Sequence, residues 1–513
     1  HLKALPRRSR KKPILIGVSI LLVAILAIIG FQMMPRGAQE VTQEVVVAPE
    51  DVTSLAILPF TNTSGDQSTA WLSSGLADML LTDVGQSAYL RTVSPDRMHQ
   101  ILGDLGLSGT DELDAADRRQ IAEYANADKL IWGQYVKLGD QIRIDATVED
   151  VAQQIRTPVK VEAANEAELL EAVGELAGVV RENLELSSDQ LAALEDQVQR
   201  PSSDSLVAIR HYLQGLELIR QGNNLDAVSE FEASVAEDPE FALAHSKLAA
   251  ANFLIGHGTE AQESSRRALE LSEDLPPQER NLILAEDARI NSDLEKGIMA
   301  YENLLRYRPN DPDLLYELGV LYENEGLFDR AEESYLKVLE ADPQNLAALL
   351  ASGRALSGKG DAGAALEPLN QALSQAIQLA NREAEANALQ SLGGTYRQLN
   401  RLEDALESHQ ESLALKQELG DKRGMASSLR GISWVHELMG NWDEARSAYQ
   451  STIAINEEMG DRNGLGITLM NFGEMERTLG NYDEALQLAR QAHRIQVEMN
   501  DELNQGASLN NIG

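Results

Sequence analysis

A ladder of matching positions recurs every 40 residues towards the C-terminal end of the chain. Two sets of three show the spacing: Ala405, Ala445 and Ala485, and Asp421, Asp461 and Asp501. A fixed period of this size indicates a stacked repeat array, in which each unit buries its apolar face against its neighbours. Because such arrays offer a long concave surface, the pattern favours binding over catalysis.

Upstream of residue 346 the units are shorter. The clearest one spans residues 312–345 and resembles a tetratricopeptide repeat at these positions: Leu315, Leu318, Gly319, Tyr322, Ala331, Tyr335 and Pro343. Gly319 and Ala331 are small because two helices are expected to cross closely there. We predict repeats of about 34 residues over 205–345 and of about 40 residues over 346–513, eight units and a truncated ninth. The longer form resembles the repeats of kinesin light chain and of many bacterial regulators.

The N-terminal segment predicts a membrane topology. Residues 13–34 carry no charge and are long enough, at about 1.5 Å per residue, to cross a hydrocarbon core of roughly 30 Å. Residues 1–12 are basic, which places the N-terminus in the cytoplasm by the positive-inside rule. A signal peptide is the competing interpretation, although no small-residue cleavage site follows the run. The expected location is the bacterial inner membrane, with the later domains extracytoplasmic or periplasmic.

Between the membrane segment and the repeats, residues 52–187 read as a small α/β domain, bounded by linkers at 35–51 and 188–204. Residues 54–60 and 90–93 are short strand candidates, and Ser94 followed by Pro95 reads as the start of a helix. Residues 129–136 and 141–150 flank a hairpin signal. Asp78 is predicted on the exposed side of an amphipathic helix, and Arg143 and Asp145 as a surface pair.

These residues also carry a resemblance. The runs 55–60, 76–78, 127–133 and 139–144 resemble the domain family of the Tol–Pal translocation protein's N-terminal part and of a flagellar assembly lipoprotein. The resemblance implies a protein-interacting domain without catalytic residues. In bacterial signalling proteins this domain stands between a membrane helix and tetratricopeptide repeats.

Composition excludes several functions. The formal charge of −37 repels phosphate backbones, which argues against nucleic-acid binding by this region. The chain has no cysteine, so thiolate nucleophiles, thiolate metal sites and disulfides are excluded. No phosphate-cradling or nucleophile-elbow motif occurs. We therefore predict no catalytic residue, no cofactor and no metal site within these 513 residues.

The inner face of the longer repeats is the predicted binding groove. By resemblance to the long-repeat class, an amide there can pair with a peptide backbone, and an arginine can bind a carboxylate in bidentate geometry. The candidate residues are Arg397, Arg430, Asn471, Arg477 and Asn511. The alternative for the asparagines is plain solvation. Four aromatic residues are predicted to pack between helices rather than to stack on a ligand: Tyr396, Trp434, Trp442 and Tyr482.

Together the patterns predict a mainly α protein with one transmembrane helix, a small α/β domain and an α-solenoid. The organisation resembles the outer half of bacterial eukaryotic-type Ser/Thr protein kinases, which implies a sensor that binds a protein or peptide, acts by dimerisation and has a kinase domain upstream of residue 1. One alternative is a membrane-anchored envelope scaffold. Another is the sensor region of a winged-helix transcription regulator or of a nucleotide cyclase.

Overall fold

The computed structural model describes residues 52–84, 90–107, 113–184, 186–187, 190 and 203–498. The predicted basic tail, membrane helix and first linker lie outside the described residues, as do most of the second linker and the truncated ninth repeat. Within the described ranges, no helix combines the length and the apolar character that crossing a bilayer requires.

The N-terminal part of the described chain is a small α/β domain. Its strands are β1 (Thr53–Ile57), β2 (Thr61–Asn62), β3 (Leu90–Thr92), β4 (Lys129–Leu138), β5 (Gln141–Asp150) and β6 (Ile155–Ala163). Its helices are α1 (Leu72–Val84), α2 (Pro95–Asp104), α3 (Ala115–Tyr124) and α4 (Leu169–Glu182). The expected cap of α2 is confirmed, because the Ser94 side chain accepts a hydrogen bond from the Arg97 amide.

The sheet has the strand order β3-β1-β4-β5-β6, and β2 pairs with β4. β1 is parallel to both of its neighbours, whereas β4, β5 and β6 form an antiparallel meander that includes the predicted hairpin. Gly133 of β4 faces Ala146 of β5, and a Cβ added there would lie 2.4 Å from the Asp145 carbonyl oxygen. Only glycine therefore allows the two strands to pair at this point.

Helices cover the two faces of the sheet. Leu55 and Ile57 of β1 pack into a core with α1 and α4, while Ala56 and Leu58 pack into a second core with α2 and α3. A strand that is buried on both faces reads as a continuous apolar run, which is how residues 54–60 appear in the sequence.

The rest of the described chain is eight helical hairpins, as the repeat period predicts. The first four are α5 (Leu206–Arg220) with α6 (Asn224–Glu237), α7 (Ala242–Leu254) with α8 (Gly258–Leu271), α9 (Pro277–Asn291) with α10 (Leu294–Tyr307), and α11 (Pro312–Asn324) with α12 (Phe328–Ala341). The other four are α13 (Leu346–Lys359) with α14 (Ala362–Gln378), α15 (Arg382–Gln398) with α16 (Leu402–Leu419), α17 (Lys422–Met439) with α18 (Trp442–Met459), and α19 (Arg462–Thr478) with α20 (Tyr482–Glu498).

A small residue on the first helix of a hairpin receives a large one from the second helix. A Cβ added to Gly319 would lie 2.5 Å from the ring of Tyr335, and one added to Gly215 would lie 2.6 Å from the ring of Phe231. Such distances are too short for real contacts, so glycine sets how closely these helices cross. The predicted reason for Gly319 is confirmed.

The longer repeats are joined by a glycine–aspartate link. Gly420 ends α16 in the left-handed conformation with φ of 70°, and Asp421 then accepts a hydrogen bond from the Gly424 amide at 2.8 Å. Gly460 and Asp461 repeat this arrangement before α19. The aspartate satisfies a free amide at the start of the next helix, so the link ends one helix and caps another.

Candidate functional site: the inner face of the repeats

The first helices of successive hairpins line the inner side of the array. Arg354 of α13 donates to Glu323 of α11 at 3.1 Å, and the hydroxyls of Ser357 in α13 and Thr395 in α15 lie 2.9 Å apart. Second helices of neighbouring hairpins meet at longer range, as in the ion pair of 3.9 Å between Arg330 of α12 and Glu302 of α10. Because first helices approach one another more closely than second helices do, they form the concave surface.

The α/β domain covers the first part of this surface. Ala208, Ile209 and Leu213 of α5 belong to the same buried apolar cluster as α1 and α4, and Ala244 of α7 joins them. We call the hairpins from α5 to α14, residues 206–378, the front repeats, and those from α15 to α20, residues 382–498, the rear repeats.

Two sets of ion pairs cross this interface. The Arg220 guanidinium at the end of α5 lies 3.1 Å from Asp78 of α1 and 2.8 Å from Asp96 of α2. Arg97 of α2 lies 2.8 Å from Asp342, which follows α12. Both side chains of the Arg97–Asp342 pair are almost fully buried. Breaking such a pair on one side leaves an uncompensated charge in the interface.

The prediction for Asp78 is wrong. Asp78 is only 8% exposed, because α5 packs over the helix face that the sequence pattern assigns to solvent. Burial raises the pKa of the Asp78 carboxyl to about 6, although Arg220 acts in the opposite direction. By contrast, Arg143 and Asp145 form the surface pair that the strand pattern predicts, at 2.8 Å.

Hydrogen bonds extend the docking to the end of the front repeats. The Asn126 side-chain amide donates to the Ala341 carbonyl oxygen at 3.0 Å, and Asn381 donates to Asp104 at 2.8 Å. Gln375 of α14 donates to the Tyr124 hydroxyl at 3.2 Å. The α/β domain therefore contacts the array from α5 to the start of α15, and the inner face of the rear repeats remains uncovered by it.

The uncovered face carries an exposed aromatic residue, Trp434, with two arginines near it. The Arg397 guanidinium of α15 lies 3.7 Å above the ring of Trp434 in α17, and 49% of Trp434 is exposed. Arg430 lies one helical turn before Trp434, on the same face of α17. Burial lowers the pKa of Arg397 from its ordinary value. Among the described residues, no carboxylate forms an ion pair with either arginine. We call Arg397, Arg430 and Trp434 the arginine–tryptophan cluster.

The other predicted groove residues stand apart from this cluster. Asn471 is half-buried on α19, two positions before Gly473, which corresponds to Gly319 in the repeat. Arg477 is exposed and pairs with Glu474 of its own helix at 2.9 Å, so its charge is already partly balanced. Asn511 lies outside the described residues. Of the five candidates, Arg397 contacts Trp434 directly, and Arg430 lies one turn before Trp434 on the same helix.

The aromatic predictions are half right. Trp442 and Tyr396 pack against buried cores, as expected. Trp434 and Tyr482 do not: both are exposed, Tyr482 to 70%. Both residues stand at helix positions where packed residues are expected. The sequence does not show whether a neighbouring hairpin packs over them.

Sequence reasoning also missed a buried carboxylate on the rear repeats. Glu476 of α19 is fully buried and binds Arg446 of α18 through two hydrogen bonds of 2.8 and 2.9 Å. Asn481 donates to the same carboxylate at 2.6 Å. This fork fixes the last two hairpins against each other. Within the described ranges, no group of three or more His, Asp or Glu residues could hold a metal ion.

Comparisons with known proteins agree with the helical-hairpin geometry. Residues 344–418, 384–458 and 425–498 match one family model described as tetratricopeptide repeat, and residues 212–276 and 284–346 match a second model with the same description. Together the matches span more than half of the chain.

Two proteins and a solved structure are similar to this chain over part of its length. A BBSome complex member, BBS4, of Bos taurus is 35% identical over 77 residues, or 15% of each chain. The general transcriptional corepressor trfA of Dictyostelium discoideum is 44% identical over 52 residues, which are 10% of this chain and 4% of that protein. A solved Rap protein complexed with competence and sporulation factor is 12% identical, with a TM-score of 0.42, and the likeness covers 60% of this chain and 96% of that one.

Proposed function

Since this chain belongs to the tetratricopeptide repeat family, we propose that its protein-binding site is the open inner face of the rear repeats, centred on the arginine–tryptophan cluster. A tetratricopeptide array has a role in protein–protein interaction, and the question is which of its surfaces is available. The α/β domain packs on α5 and α7 and on the ends of the later front hairpins, so an external partner has access to the inner sides of α15, α17 and α19.

The arginine–tryptophan cluster supports the proposal because it leaves apolar surface exposed and two positive charges without carboxylate partners among the described residues. A large indole that is half exposed loses little entropy when a ligand covers it and contributes a large apolar area. Neither arginine has an acid partner among the described residues, although the chain has a formal charge of −37, so they are a local exception to the charge of the molecule. Their planar guanidinium groups suit carboxylates better than other groups.

The partner that fits is an extended peptide segment with an acidic residue next to an apolar or aromatic one. The apolar side chain would cover Trp434, and the carboxylate would accept hydrogen bonds from Arg430 or Arg397. Asn471 of α19 is the proposed amide contact to the peptide backbone, and Arg477 a secondary contact, because Glu474 competes for it. Asn511, which follows Asn471 by one 40-residue period, is proposed as a further amide contact on the strength of the sequence repeat.

The proposed setting of this site is the extracytoplasmic sensor region of a single-pass bacterial signalling protein. The basic residues 1–12 and the uncharged residues 13–34 support a membrane anchor with the repeats outside the cytoplasm. A Ser/Thr kinase domain upstream of residue 1 is part of the proposal through the resemblance alone, and so is dimerisation as the route of the signal.

A peptide-array experiment tests the groove. The full chain is incubated with an array that varies acidic and aromatic positions independently, and retained peptides are measured again by fluorescence anisotropy. We expect retained peptides to combine an acidic with an apolar residue, and the double variant Arg397→Glu/Arg430→Glu to bind them at least about 100-fold more weakly.

The matched control is Arg490→Glu/Arg494→Glu, which makes the same charge change at exposed positions of the second helix α20. Equal losses in the two double variants would show a general charge effect and refute the site. The setting is tested separately by sequencing the coding region upstream of residue 1. A glycine-rich loop with H-R-D and D-F-G would support the kinase proposal. A start codon within a few residues would leave the scaffold alternative.

A further inference from the structure

A cleft of about 1140 Å³ lies between the α/β domain and the first repeat. It opens beyond the carboxyl ends of β1 and β3, with Phe60 after β1 and Pro95 after β3 in its lining. The connection from β1 runs over one face of the sheet through α1, and the connection from β3 runs over the other through α2 and α3. Crevices at such a reversal are where open α/β sheets bind ligands.

The repeat array closes the second side of this cleft. Leu213, Glu217 and Arg220 of α5 and Glu230 of α6 contribute to the lining. The cleft exists only because the α/β domain is docked on the front repeats. We call it the switch-point cleft.

Three carboxylates line the cleft, those of Asp78, Glu217 and Glu230. Glu217 accepts hydrogen bonds from Arg220 and Gln221, and Glu230 pairs with His211. Both hydrogen bonds that Asp78 receives from Arg220 go to Oδ2, while Oδ1 is buried and has no hydrogen-bond partner among the described residues. An unsatisfied oxygen in a residue that is more than nine-tenths buried costs free energy, and a ligand donor recovers it once the Asp78 carboxylate turns Oδ1 towards the cleft.

The cations of the cleft are already engaged. Arg220 is shared by Asp78, Asp96 and Glu217. Arg118 lies 4.0 Å from the ring of Trp132 and donates to the Leu113 carbonyl oxygen. Its Nε has no hydrogen-bond partner within the described ranges, which is the one feature that favours an anion instead.

Two indoles complete the lining. Trp71 and Trp132 both face the cleft and are half-buried. An aromatic face attracts an ammonium group electrostatically, and it also covers an apolar ligand body. Since Arg118 already lies over the ring of Trp132, Trp71 is the indole that favours an ammonium group, as the carboxylates do.

We propose that the switch-point cleft binds a small organic cation, a primary amine carried on an apolar or aromatic body. The ammonium group would donate to Asp78 and Glu217, and the body would lie against the indoles. This site is separate from the peptide groove of the rear repeats, so either proposal can fail without the other.

Isothermal titration calorimetry of the full chain tests the site with three probes of one shape. The measurement is made at about 150 mM salt, which screens general attraction to an acidic surface. Phenethylamine carries an ammonium group, 2-phenylethanol is its neutral analogue, and phenylacetate is its anionic analogue. We expect phenethylamine to bind once per chain and at least about tenfold more tightly than the other two.

Two variants locate the binding. Ser74→Trp places a large side chain in the cleft from α1 and is expected to reduce phenethylamine affinity at least about tenfold. Ser451→Trp makes the same change at an exposed position of α18 and should leave it unchanged. Glu217→Gln keeps the volume and removes one carboxylate, so it should weaken the amine and leave the alcohol unaffected, even if Ser74→Trp disturbs folding.

Three outcomes would overturn the proposal. They are equal affinity for the three probes, tighter binding of phenylacetate, and no heat of binding for phenethylamine up to about 10 mM, a concentration at which a specific site would be filled. Binding that survives both Ser74→Trp and Glu217→Gln would place the amine elsewhere on the acidic surface and would refute the site as well.

Discussion

The front and rear repeats are built from the same helical hairpin, yet their inner faces meet different surroundings. The front repeats are contacted by the chain's own α/β domain, through an apolar cluster on α5 and α7 and through the buried Arg97–Asp342 pair at the end of α12. The inner face of the rear repeats carries the exposed Trp434, with two arginines near it. The repeat motif thus determines the scaffold, and residues outside the motif determine what the concave surface binds.

The largest expected effect is the loss of the cover from the front repeats. Asp342→Ala leaves Arg97 buried without its carboxylate, which should cost about 3–5 kcal/mol of docking free energy. Hydrogen exchange should then show new amide exposure in α2 and α5 without a change in α17 and α19. The charge swap Arg97→Asp/Asp342→Arg should restore part of the protection. Unchanged exchange in Asp342→Ala would show that the ion pair does not hold the interface.

The stability of the rear repeats should depend on pH through a buried histidine, where the front hairpins have aromatic residues that do not titrate in this range. His409 of α16 occupies the position of Phe231 and Tyr335 in the front hairpins, between Gly393 and Gly431. Burial, with Arg397 and Lys416 nearby, lowers the pKa of His409 to about 4. The unfolded chain therefore binds the proton more readily than the folded one. The stability that neutral His409 maintains is complete above about pH 6.5 and is lost as the pH falls towards 4.

The stability lost through His409 between pH 6.5 and pH 4 is on the order of 3 kcal/mol. Denaturant unfolding of the chain and of His409→Phe at several pH values checks it. As the pH falls from 7 to 4, the chain with His409 should lose unfolding free energy relative to His409→Phe. A difference that is independent of pH would contradict a buried neutral histidine.

A smaller effect tests how tightly the hairpins are packed. Gly319→Ala in the front repeats forces a methyl group against Tyr335 at 2.5 Å and should destabilise the array by about 1–3 kcal/mol. Gly473→Ala at the corresponding position of the last described hairpin meets its nearest atom at 3.3 Å and should cost well under half as much. Thermal unfolding of both variants measures the contrast, and equal losses would refute the geometric explanation.

The smallest effect on stability is expected at the proposed site itself. Trp434→Ala removes a half-exposed side chain and one cation–π contact, which should change the unfolding free energy by no more than about 1 kcal/mol. Peptide binding, by contrast, should fall at least about tenfold. Val207→Ala, at an exposed position of α5 in the front repeats, serves as a control for loss of apolar surface. Retained binding in Trp434→Ala would exclude the indole from the site.

The sequence predicted the elements of the fold better than the contacts between them. The capped start of α2, the hairpin of β4 and β5 and the tight crossing at Gly319 follow from neighbouring residues or from a strict period, and each is confirmed. Asp78 was assigned to solvent because its own helix pattern leaves it outside, and its partner Arg220 lies 142 residues later.

The same reason explains the mixed result at the candidate site. The period places Arg397 and Arg430 on successive first helices, but not at matching positions of the repeat, so it does not fix their contacts. The exposure of Trp434 depends on which part of the array the α/β domain covers, and contacts such as Arg97–Asp342, 245 residues apart, decide that. No local pattern encodes a pairing over such a distance.

The docked domain also has a mechanical consequence. It touches the array near Arg220 and again near Asn381, so it acts as a strut across the front repeats. A helical array without such a brace bends like a spring, because each unit contacts only its neighbours. Strain applied at the C-terminal end would therefore be taken up by the last three hairpins, and the curvature of the first five would stay set by the strut. The chain combines a stiff part and a compliant part in one repeat architecture.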